Sequence, residues 1–102
     1  MGVDVMIVDY DLHPKSILSD PCNFAIEFLI YQEFAPTHYL KYVDEYGRTI
    51  FNDRQMEPLI QELDLLLANT ALSDSARTFI VGVRALAVRC QQHDGILMFN
   101  GD

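Results

Sequence analysis

Asp9, Asp11 and His13 are the side chains whose types and spacing could do chemistry. They lie two apart, and on an extended chain alternate residues share one face. Two carboxylates and an imidazole suit a hard or borderline divalent cation. The chemistry they would support is metal-dependent hydrolysis or simple metal binding, with His93 as a further donor. The same residue types, placed just before Pro14, also serve as solvated turn formers at a strand end. Both readings stand on the residues alone.

An element must hold these groups in place. Val3–Val8 (VDVMIV) is a short apolar run with β-branched residues, and it predicts a well-covered strand. Strand plus Asp9-x-Asp11 resembles the first motif of the haloacid dehalogenase-like phosphotransferases. That resemblance implies Asp9 as nucleophile and Asp11 as acid/base. It covers about ten residues, His13 stands where the motif has Thr, and the chain is shorter than that family's usual α/β domain.

Composition bounds the remaining options. The chain has 102 residues, 50% apolar and 11% aromatic, which fits one domain over 1–102 with a real core. Fifteen Asp plus Glu against seven Lys plus Arg give a net charge of −8. That field repels nucleic-acid backbones and anionic membrane surfaces, and it favours a basic partner. Cys22 and Cys90 are far apart and lack metal spacing, so free thiols in a reducing compartment are expected. The N-terminal residues show no signal-peptide pattern, and no 18-residue apolar run is present, so a cytoplasmic location is expected. The glycine-rich phosphate loops, H-E-x-x-H and C-x-x-C are all missing, and the reading leans away from an enzyme.

Along the chain, residues 15–21 read as a polar connector. Asp20-Pro21 is a helix-start signal. Residues 22–34 fit a helix by length and cap, and a strand by aromatic content; the helix is preferred. Residues 39–43 alternate and Gly47 offers a turn, so 39–43 and Arg48–Phe51 are expected to pair as a hairpin. Asn52 and Gln55 have the spacing of a capping box. A short turn over 53–56 should precede a helix whose stripe is Met56, Leu59, Ile60, Leu63 and Leu67, with Gln61, Glu62 and Asp64 outward. A second helix over 75–92, capped by Asp74 or Ser73, should bury Ala76, Phe79, Ile80, Val83, Leu86, Ala87 and Cys90. Its remaining apolar positions, Val81, Ala85 and Val88, make it either central or the seam of a homodimer. Gly82 should let a neighbouring backbone approach. Arg77 and Arg84 lie close on that helix, as an anion site or as partners for the chain's own carboxylates. Residues 96–99 close the chain as an apolar strand.

Residues 44–55 and the terminus carry a longer pattern: Asp44, Tyr46, Gly47, Thr49, Phe51, Asn52, Gln55, then Phe99, Gly101 and Asp102. This resembles small bacterial proteins of unassigned function with D-x-Y-G-x-T-x-F-N-x-x-Q and a terminal aromatic-x-G-D. The resemblance implies a compact cytoplasmic bacterial protein, some of whose kind act as immunity proteins. Asp44, Tyr46, Arg48, Asn52 and Gln55 are the residues expected to meet a partner. Asp44, Thr49, Asn52 and Gln55 also have local work available in the turn and the cap.

The expectation is therefore an α+β domain. A mostly antiparallel sheet of about four strands would carry two or three helices on one face. The leading function is an acidic interaction protein that binds a basic partner, immunity- or inhibitor-like. The alternative is a small metal-dependent hydrolase or metal-binding protein using Asp9, Asp11 and His13.

Overall fold

Val3, Val5 and Ile7 are fully or almost fully buried and lie two apart. That spacing fixes one face of the first strand against the core. In the computed structural model, residues 3–8, 14–19, 39–44, 46–68, 72–93 and 95–101 are described. The elements are β1 (Val3–Val8), β2 (Pro14–Ser19), a 3-10 turn (Leu40–Tyr42), β3 (Arg48–Phe51), a second 3-10 turn (Asp53–Gln55), α1 (Met56–Leu67), α2 (Asp74–His93) and β4 (Ile96–Gly101).

The four strands form one antiparallel sheet in the order β2-β1-β4-β3. The two helices share one core cluster with Val3, Val5, Ile7, Phe51, Leu97 and Phe99. This is the expected α+β class, with the described helices on one face of the sheet. Met6 and Val8 point to the opposite face and are buried as well.

The helices begin where the sequence puts caps. Asn52 Oδ1 accepts from the N–H groups of Arg54 and Gln55, and Gln55 Oε1 accepts from Asn52 N–H at 2.9 Å. This capping box holds the short turn before α1. Pro58 is then the third residue of α1, where its missing N–H leaves no bond unmade. Ser73 Oγ accepts from Ala76 N–H at 3.1 Å and starts α2. All seven residues expected on the inner face of α2 are buried.

Several expectations are corrected. Residues 39–43 are not a strand: Leu40–Tyr42 form a 3-10 turn, closed by Tyr42 N–H to Tyr39 O and Val43 N–H to Leu40 O. Consequently β3 has no hairpin partner there and pairs with β4 instead. Residues 14–19, expected as turn and connector, are the edge strand β2. Pro14 is tolerated there because it opens an edge strand and need not donate. Glu62, expected outward, is buried, and Leu66 joins the inner stripe, against which Ile60 and Leu67 pack half-buried. The helix or strand expected over 22–34 lies outside the described residues. Gly82 does admit a neighbour, though a side chain rather than a backbone: a Cβ there would come within 2.8 Å of Leu18 Cδ2 on β2.

Candidate functional site: the turn and edge strand at 42–55

The turn before β3 is built by local hydrogen bonds. Asp44 Oδ1 accepts from Tyr46 N–H at 2.8 Å, and Asp44 O accepts from Gly47 N–H at 3.4 Å. Thr49 Oγ1 reaches back to accept from Asp44 N–H at 3.0 Å. A Cβ on Gly47 would lie 2.8 Å from Asp44 Oδ2, so glycine is what lets the carboxylate fold over the turn. Gly47 O accepts from Gly101 N–H at 2.7 Å, which ties the turn to the last strand.

Of the five residues expected to meet a partner, three are therefore engaged locally. Asp44 makes the turn, and Asn52 with Gln55 makes the cap. Tyr46 and Arg48 remain with their side chains outward, Tyr46 being 63% exposed. The structure adds two residues that the sequence reading passed over. Tyr42 is 68% exposed beside Lys41, whose Nζ lies 5.1 Å from the ring centroid, and Ile50 is 50% exposed on β3. The signal for Ile50 was its parity with Arg48 on a strand whose other parity ends in buried Phe51. Tyr42, Tyr46 and Ile50 are three of six exposed large apolar side chains among the described residues, and they fall within nine positions.

A buried carboxylate holds this region from behind. Glu62 accepts from Tyr39 N–H through both oxygens, at 3.2 and 3.0 Å, and from Leu40 N–H at 3.1 Å. It caps the 3-10 turn from another helix, supplying the acceptor that no side chain within the turn provides.

Elsewhere the polar groups are engaged in structure. Arg84 Nε pairs with Asp64 Oδ1 at 2.7 Å, and that hydrogen bond and charge raise the Arg84 guanidinium above its ordinary value. Both side chains are largely solvated, so the pair adds little stability. Arg77 donates to the carbonyl of Leu67 at 2.6 Å, close to the C-terminus of α1. The chain's own acceptors thus take up both arginines of the expected anion site.

Asp9, Asp11 and His13 lie outside the described residues, as do Cys22, Asp102 and the side chain of His93. Among the described residues no three His, Cys, Asp or Glu side chains gather in a way that could hold a metal ion. No helix among them is long and apolar enough to cross a membrane.

Cys90 is 1% exposed on the inner face of α2. Burial pushes its thiol up to about 11, the charge of Asp53 adds to the shift, and the Gly95 N–H opposes it. A raised folded value means the unfolded chain loses this proton first. The thiol's contribution is therefore complete below about pH 9 and is lost as pH climbs toward 11, a change of roughly 2–3 kcal/mol. Urea unfolding of wild type against Cys90→Val between pH 8 and 11 should show that slope in wild type only; parallel curves would remove the assignment. No family model, no curated protein and no solved structure matches this chain.

Proposed function

We propose that the chain is a small acidic interaction protein that binds a basic protein partner, in the manner of an immunity protein or inhibitor. The observation that carries this is the outward group Tyr42, Tyr46, Arg48 and Ile50, mounted on a turn and cap that already use their own polar side chains. Tyrosine and arginine are over-represented among residues that dominate binding energy.

Charge and contact divide the work. Lys41, Arg48 and Arg54 cancel Asp44, Glu45 and Asp53, so residues 41–54 are neutral and the whole excess of −8 comes from the rest of the chain. The excess draws a basic partner in, and the neutral aromatic surface holds it.

Affinity purification of the tagged chain from its native cells tests the reading. The expected result is one stoichiometric basic protein, released as salt rises toward 0.5 M. Purified complex should then lose affinity at least tenfold with Tyr46→Ala, through faster dissociation, while a variant in a solvated acid outside this surface, such as Asp64→Asn on α1, should mainly slow association. A chain that purifies alone, or a partner indifferent to both salt and Tyr46, would end the proposal.

A further inference from the structure

We infer that the free edge of β3 pairs with the same edge of a second copy, joining two four-stranded sheets into one of eight strands about a two-fold axis at Thr49. Among the described strands, β3 has β4 as its single neighbour. Gly101 N–H donates to Gly47 O, and Gly47 stands opposite Gly101 in the register that pairs Arg48 with Asn100. Antiparallel ladders alternate, so Gly47, Thr49 and Phe51 turn their backbone groups toward β4. Arg48 and Ile50 turn theirs away, to the open edge.

That edge has defined ends. The outward N–H of Tyr46 is held by Asp44 Oδ1, and that of Asn52 by Gln55 Oε1. Two residues, Arg48 and Ile50, are left with a free N–H and a free carbonyl among the described residues. They sit symmetrically about Thr49. In an antiparallel two-fold pair, Arg48 of one copy exchanges both backbone bonds with Ile50 of the other, and the reverse, giving four hydrogen bonds. Each cation then meets an isoleucine and not its own copy. Thr49 faces Thr49, a favourable cross-strand pair.

The other edge is blunted in the ways that stop such pairing. Pro14 opens β2 without an N–H, and the β1–β2 register shifts between Ile7 and Val8. Charge also selects β3. The whole chain carries −8, yet residues 46–52 carry the single positive charge of Arg48. Two copies repel least when they meet there. The contact is small, so the dimer is weak and strengthens as salt screens the acidic bodies, opposite to the salt response of a basic partner. Self-pairing and partner binding use the same residues and exclude one another.

Sedimentation of the full chain from 10 µM to 1 mM, at low and moderate salt, tests the inference together with amide exchange by NMR. The expected result is a dimer favoured by concentration and salt, with the Arg48 and Ile50 amides gaining protection while those of Tyr46 and Asn52 do not change. Ile50→Lys, at a half-exposed position that leaves folding intact by circular dichroism, sets Lys against Arg48 of the other copy and should weaken the dimer at least tenfold. Ile50→Glu sets a carboxylate there and should retain it. A chain monomeric throughout, a dimer equally sensitive to both substitutions, or a dimer lost instead in Val81→Glu on the outer face of α2 would each overturn it.

Discussion

Glu62→Ala is expected to remove about 3–5 kcal/mol from the unfolding free energy. Two N–H groups, the part-buried one of Tyr39 and the buried one of Leu40, converge on this carboxylate through three contacts of 3.0–3.2 Å. A hydrogen bond to a charged group contributes about 1.5–3 kcal/mol, and a buried donor left without a partner costs about 1–3 kcal/mol. Alanine removes both bonds and brings no water in, because Glu62 is only 6% exposed. Glu62→Gln keeps one acceptor oxygen and should cost roughly half as much. A small domain has only about 5–15 kcal/mol in total, so the alanine variant approaches the limit of folding. Urea midpoints measure the loss, with unchanged m-values as the sign that cooperativity survives. Asp64→Ala, two residues on and solvated, is the control and should stay within about 0.5 kcal/mol. Equal losses in the two variants would mean that the Tyr39 and Leu40 amides find other acceptors when the carboxylate is removed.

The Glu62 result also marks where sequence reading stops. Asn52 with Gln55, Asp44 with Tyr46, and Ser73 with Ala76 were all legible, because donor and acceptor lie within three residues of one another. The inner face of α2 was legible because seven apolar residues keep one helical period over fifteen positions. Glu62 was misjudged because its partners are 22 and 23 residues away, and no local pattern announces them. The same distance hid the sheet. Alternation in 39–43 suggested a strand, but those N–H groups belong to Glu62 and the turn, and β3 finds its partner some fifty residues onward. The class of the fold follows from local signals. The strand order, and with it the open edge at Arg48 and Ile50, follows from pairings that only the folded chain displays. The metal reading at Asp9, Asp11 and His13 rests where the sequence left it, on spacing.

Phe51→Ala should be the most damaging change in β3, at about 3–5 kcal/mol. Phe51 is the one buried residue of that strand. Its ring meets Phe99 edge-on at 5.8 Å and Tyr39 at 6.0 Å. Each such pair adds about 0.5–1.5 kcal/mol beyond area burial. Ile50→Ala, next in sequence but half exposed, should cost under about 1 kcal/mol, so the two substitutions separate the strand's anchoring face from its contact face. Tyr39 links this anchor to the other one: Phe51 holds its ring and Glu62 holds its N–H. Removing either loosens the same segment, so the second removal has less left to disrupt. The double variant Phe51→Ala/Glu62→Gln should therefore lose about 0.5–3 kcal/mol less than the sum of the single losses, measured by a double-mutant cycle in urea. Strict additivity would show that ring and backbone are held independently, and that the platform beneath Tyr42 and Tyr46 is two supports instead of one.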